Sequence, residues 1–121
     1  MKSFALDVLS PMEIAVEFSL TDIDASEKVS VDLRQNLYLM FKEAINNIAR
    51  HSGANHVRIT LQRRDHTLFL SVKDNGNGFS TDKEAQGHGL KNIKMRAELL
   101  GGSVRFENEE GFLVVINIRA T

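Results

Sequence analysis

An α+β fold is predicted for this chain, a two-layer sandwich with a mixed β-sheet and helices packed on one of its faces. Three observations predict it. Apolar residues alternate over 13–20, 55–63, 67–73, 103–108 and 112–119. They recur at three and four over 30–51 and 89–100. The late strands are joined by short polar links rather than helical crossovers, which sets them apart from parallel βαβ units.

The 121 residues, 42% hydrophobic and 26% charged, suffice for one domain with its own core. A chain of this size buries roughly two-thirds of the surface it exposes unfolded. No repeat, low-complexity tract or linker divides it. The absence of cysteine excludes disulfides and thiolate metal sites. A net charge of −1 at pH 7 argues against nucleic acid held on a general basic surface. No apolar run approaches the ~18–20 residues of a membrane span, and Met1-Lys2-Ser3-Phe4 lacks the apolar core of a signal peptide. The chain therefore reads as soluble and cytoplasmic, whether or not a parent protein is membrane-anchored.

In chain order, residues 2–9 (Phe4, Ala5, Leu6, Val8, Leu9) read as the last turns of a helix that Pro11 breaks. Ile14, Val16, Phe18 and Leu20 lie on one face of a strand over 13–20. Residues 21–29 are polar and read as a loop. Leu33, Leu37, Met40, Phe41, Ala44, Ile45 and Ile48 form the stripe of a long helix. Ser30 is its N-cap and Gly53 its left-handed stop. Val57, Ile59 and Leu61 face inward on one strand and Leu68, Leu70 and Val72 on the next. The polar link Arg63-Arg64-Asp65-His66 makes them an antiparallel hairpin. A helix over 89–100, with Leu90, Ile93, Ala97 and Leu100 on its stripe, ends at Gly101-Gly102. Two strands joined by Asn108-Glu109-Glu110-Gly111 close the chain.

Three motifs carry chemistry. On the long helix, Glu43, Asn47 and His51 are spaced four apart and drift only about 40° per step, so they share one helix edge. That edge flanks the apolar stripe, where polar groups need partners. Mg²⁺ and phosphates could satisfy them, since hard divalent cations prefer oxygen and Mg²⁺ takes few ligands from protein. The competing reading is a helix boundary facing solvent or neighbouring backbone. Asn46 and Arg50 read as ordinary solvent-facing residues.

The second motif, Asp74-Asn75-Gly76-Asn77-Gly78-Phe79, follows a strand directly. Its glycines permit positive φ and close approach of a ligand. Asp74, at a buried strand end, is a good acceptor for an exocyclic amine. Asn-Gly also marks simple turns, but residues 80–86 show no alternation that would continue a hairpin. The third motif is Gly87-His88-Gly89-Leu90 at an expected helix start, where free N–H groups and the helix dipole suit phosphate. Lys91 and Asn92 could add contacts, and a flexible helix start is the plainer reading.

Together these motifs resemble the Bergerat-type ATP-binding fold of histidine kinases, DNA gyrase and MutL-type repair proteins. The long-helix motif looks like the N box, D-N-G-N-G like the G1 box, and G-H-G-L like the G2 box. Within that fold the chain is similar to sensor histidine kinases with a short ATP lid, through F-K-E-A-I-N-N-I-A-R-H-S-G-A (41–54), D-N-G-N-G-F (74–79) and G-H-G-L-K-N-I-K-M-R-A-E-L-L-G-G (87–102). The resemblance implies roles. Asn47 would ligand Mg²⁺, and Glu43 would orient or activate the attacking histidine or a water. His51 would sit near the phosphates. Asp74 would accept from the adenine amine, with Gly76, Gly78 and Phe79 around the base. Gly87, His88, Gly89, Leu90 and Lys91 would meet the phosphates, with 79–88 as the lid. One departure is Phe112-Leu113 after Gly111, where such domains often carry a Gly-Thr pair near the adenine.

The resemblance implies a catalytic domain over 11–121 that binds Mg-ATP and donates the γ-phosphate to a histidine on a separate dimerisation domain. Residues 1–10 would be the stub of that domain's helix. His51, His56, His66 and His88 lack the setting of a phosphoacceptor, so little turnover is expected of the fragment alone. It should be monomeric, reach a response regulator through its parent, and bind no nucleic acid. The alternatives are a stand-alone anti-sigma-factor serine kinase of the same fold and a non-enzymatic interaction module.

Overall fold

The computed structural model describes residues 1–21, 30–51, 53–76, 83–108 and 110–119. The side chains of His51 and of residues 83–88 fall outside that description, as do residues 22–29 of the loop expected at 21–29 and most of the expected lid.

Helix α1 (Lys2–Leu9) ends in a 3₁₀ turn, Ser10–Met12, that holds Pro11. Proline at the start of that turn has no amide to lose from the ladder. Ala5 and Leu9 of α1 are completely buried, so this helix is part of the core. Strand β1 (Ala15–Thr21) follows, then α2 (Val31–His51). Ser30 caps α2, its Oγ accepting from the Leu33 amide at 3.1 Å, which satisfies one of the orphan donors of the first turn. Gly53 has φ 63, in keeping with the expected left-handed stop.

Strands β2 (His56–Arg64) and β3 (Thr67–Asp74) form the expected hairpin. Pairing continues to Arg64↔Thr67, so the link is shorter than expected, just Asp65 and His66. Strands β4 (Ser103–Asn108) and β5 (Phe112–Arg119) pair antiparallel as a second hairpin.

Helix α3 (Lys83–Leu99) corrects the expected helix start at 89. The run Lys83-Glu84-Ala85-Gln86 consists of good helix formers. It carries the helix through both glycines, although each costs about 1 kcal/mol relative to alanine. Gly87, His88 and Gly89 therefore lie inside α3 and not before it. At its other end Gly101 and Gly102 donate to Glu98 and Ala97 carbonyls at 3.0 and 2.8 Å, a Schellman closure.

The sheet has the order β1-β2-β3-β5-β4, with β1 and β2 parallel and every other pair antiparallel. One face carries Val57, Ile59, Leu70, Val72, Val114, Ile116 and Ile118, all buried. Met40, Phe41, Ala44 and Ile45 of α2 and Ile93 and Ala97 of α3 complete that core. The mixed sheet with its helix layer is the α+β architecture that the periodicities predict. Leu20 differs from expectation: it is 57% exposed, because β1 is an edge strand and its far end lies beyond the core.

The opposite sheet face is largely polar. Glu17, Arg58, Lys73, Leu113 and Glu107 make one row across the five strands, and Ser19, Thr60, Ser71, Val115 and Arg105 the next. Arg58 binds Glu17 at 2.8 Å and Arg105 binds Glu107 at 2.9 Å. The hydrogen bond from Arg58 and its charge hold the Glu17 carboxyl below the usual range. Arg64 lies over the Phe69 ring, and Arg119 ends β5 on the same side. Among the described residues no helix is long and apolar enough to cross a membrane.

Candidate functional site

Among the described residues two polar side chains are buried, Asn47 at 5% and Asp74 at 2% exposure. Both were singled out by their sequence setting, and each has an environment that needs explaining.

Asn47 lies on the edge of α2 that faces α3, one turn beyond Glu43. Its Nδ2 is buried without a hydrogen-bond partner. Such an orphan costs about 1–3 kcal/mol and is a place to look for a ligand or ion. Rotating the amide by 180° exchanges oxygen and nitrogen within the same volume, so the position suits an oxygen ligand equally well. Gly89 faces it from α3. A Cβ at residue 89 would lie 2.8 Å from Asn47 Oδ1 and 3.0 Å from both Asn47 Nδ2 and Glu43 Oε2. The glycine thus lets α3 pack directly against a carboxylate and an amide, where a side chain would crowd both.

The neighbours of Gly89 divide by packing. Leu90 is 7% exposed and belongs to the core, whereas Lys91 is exposed. Arg96 ties α3 to α2 through a 3.0 Å bond to Asn36 Oδ1. The His51 backbone closes α2. The His51 and His88 side chains, and all of Gly78 and Phe79, lie outside the described residues.

Asp74 ends β3. Its Oδ1 accepts from the Gly76 amide at 2.8 Å and the Phe112 amide at 3.3 Å. Asn75, which follows Asp74 in the glycine-rich motif, fastens this corner to β2. Its Oδ1 accepts from the Asn55 and His56 amides at 3.0 Å each, and its own amide donates to the His56 carbonyl at 3.2 Å. Asn55 and His56 follow the end of α2 closely in sequence. The C-terminal end of α2, the start of β2, the end of β3 and the start of β5 therefore gather at one end of the sheet.

Phe112 stands where the resemblance leads one to expect threonine. Its ring stacks on Phe106 at 6.0 Å and 11°, while its amide reaches Asp74. The hydroxyl is lost, but a backbone donor to the carboxylate is present. Neither this contact nor the Asn75 clamp was foreseen. Both depend on strand pairings that are remote in sequence, and no local signal marks them.

The family of histidine kinase-, DNA gyrase B- and HSP90-like ATPases matches residues 32–121. The sensor protein VraS of Staphylococcus aureus (strain COL) is 32% identical over 103 residues, which cover 84% of this chain and 28% of the relative. The ATP-binding domain of PrrB from Mycobacterium tuberculosis superposes with a TM-score of 0.73 at 25% identity, covering 98% of this chain and 90% of that one. The Acinetobacter baumannii histidine kinase AdeS superposes with a TM-score of 0.78 at 22% identity, covering 99% and 64%. The chain belongs to the histidine kinase-, DNA gyrase B- and HSP90-like ATPase family. Within it, the chain is homologous to sensor histidine kinases and spans 28% of the length of the VraS relative.

Proposed function

We propose that this chain binds Mg-ATP and supplies the γ-phosphate to a histidine on a separate dimerisation and phosphoacceptor domain of a two-component sensor kinase. The observation that carries the reading is the buried, unpartnered Asn47 amide beside Glu43, at the contact with Gly89. It fits a hard cation that takes few ligands from protein and the rest from phosphate and water. Asn47 would hold Mg²⁺, with Glu43 beside it. When bound, the ion would neutralise charge building on the phosphates.

The chain's own part is positioning. Asp74 accepts from the exocyclic amine of adenine and so fixes the base, with Gly76, Gly78 and Phe79 around it. That sets the triphosphate toward the end of α2, near Asn47 and His51. The bond from the γ-phosphorus to the β–γ bridging oxygen breaks as one forms to an imidazole nitrogen of the acceptor, and ADP leaves with the electron pair. Glu43 orients that imidazole and takes its proton. Gly87 and Gly89 have their amides within α3. For these to meet phosphate, together with His88 and Lys91, the first turns of α3 would have to open. Leu90 would serve from the core.

In this reading the domain works in the cytoplasm, and a response regulator receives the phosphoryl group from the partner histidine. Helix α1 would join the domain to the dimerisation helices, its Ala5 and Leu9 anchored in the core.

Calorimetric titration with ATP and ADP, in Mg²⁺ and then in chelator, tests the site. Micromolar to submillimolar affinity, with ATP binding strengthened by Mg²⁺, is expected. No affinity for either nucleotide at millimolar concentration would leave the chain a non-enzymatic module.

A further inference from the structure

Gly111 presses on the backbone beneath the proposed base acceptor. Its φ is +127, a conformation side-chain-bearing residues rarely adopt. A Cβ there would collide with the Asp74 carbonyl oxygen and stand 2.9 Å from its carbon and 3.1 Å from Asn75 Cα. These are backbone atoms, and they cannot swing aside as a side chain can. The close approach brings the Phe112 amide to Asp74 Oδ1, the oxygen that also accepts from the Gly76 amide.

Two donors on one oxygen fix the rotation of a carboxylate, and both described bonds fall on Oδ1. The other oxygen is left to accept. From the opposite side, Asn75 pins the same corner to the start of β2 through three bonds of 3.0–3.2 Å. The carboxylate is thus held in a backbone vice between β2 and β5.

We propose that Gly111 and the Phe112 amide are positioning groups that aim Asp74 at an exocyclic amine. The preference for an amino over an oxo group at the six-position of a purine is then set by the start of β5 as well as by Asp74. The inference rests on the nucleotide reading above. A carboxylate accepts hydrogen bonds and does not donate them, so it pairs with an amine and repels an oxo group only while correctly aimed. An acceptor turned away loses that discrimination before it loses general affinity for the nucleotide.

The test compares ADP and IDP by calorimetry on the whole chain. The unmodified protein should prefer ADP by about ten- to 150-fold, the range of a hydrogen bond to a charged group. In Gly111→Ala the preference should shrink to about threefold or less, while circular dichroism still shows the fold. A semisynthetic chain with an ester in place of the Phe112 amide keeps the ring and removes only the donor. It should lose the preference too, and it decides the matter if Gly111→Ala does not fold. Equal proportional losses of ADP and IDP affinity, or an unchanged ratio in the folded variants, would overturn the proposal. Failure of the unmodified protein to bind either nucleotide would instead remove the nucleotide reading itself.

Discussion

Asn47→Ala should abolish the strengthening of ATP binding by Mg²⁺ in the isolated domain while leaving its thermal stability nearly unchanged. The two outcomes come from one cause. The amide nitrogen is buried without a partner, so deleting it relieves about 1–3 kcal/mol of desolvation. The cavity left behind returns a penalty of similar size. The net change in stability should therefore stay within about 1 kcal/mol, unlike the cost of truncating a well-satisfied core residue. Phosphoryl transfer to a histidine-bearing partner domain should fall by at least about a hundredfold, as for removal of one preorganised charge-stabilising group. ATP titrations with and without Mg²⁺ read the first effect, and thermal melts the second. A variant still strengthened by Mg²⁺ to the same degree would end the assignment of Asn47.

Asp74→Asn should weaken ADP binding by about ten- to 150-fold, the equivalent of 1.5–3 kcal/mol for a hydrogen bond to a charged group. Asparagine nearly matches aspartate in volume, so the Gly76 and Phe112 amides can keep an oxygen as their acceptor. The amide nitrogen then faces outward, where the carboxylate presented oxygen. It meets the adenine amine donor to donor, and an oxo purine donor to acceptor. IDP should accordingly bind the variant as well as ADP or better. Equal ADP affinity in the variant and the parent protein would show that Asp74 does not touch the base.

Much of this geometry was legible before any coordinates. The switches between period two and period three to four are set by which side chains must be dry, and they locate the five strands, the long helix and the core-facing part of α3. Glu43 and Asn47 betray themselves as polar residues beside an apolar stripe. The start of α3 was misplaced because Gly87 and Gly89 read as punctuation, while the helix-forming run before them carries the helix through both despite a cost of about 1 kcal/mol each. Asn75, Gly111 and Phe112 escaped for a different reason. Their roles arise where β3 meets β2 and β5 across 19–38 residues of chain, and one sequence records no such pairing. The fall of Leu20 outside the core likewise follows from the edge position of β1.

The polar face of the sheet makes the molecule electrically lopsided. Arg58, Arg64, Lys73, Arg105 and Arg119 oppose Glu17 and Glu107 there. Five positive charges less two negative give +3 on that face, whereas the charged side chains described elsewhere balance, eight positive against eight negative. The proposed nucleotide site, with Asn47 and Asp74, lies on the helix-covered side of the sheet, so the positive face is turned away from it and the balanced remainder gives a polyanion no net pull from a distance. Encounter is then governed by diffusion and by contacts inside the Debye length, about 8 Å at physiological ionic strength. Added salt should leave the association rate of Mg-ATP level or raise it slightly. Stopped-flow measurements from 20 to 300 mM salt, roughly the span over which screening changes most, would show a steep fall instead if an attractive field were guiding the nucleotide in.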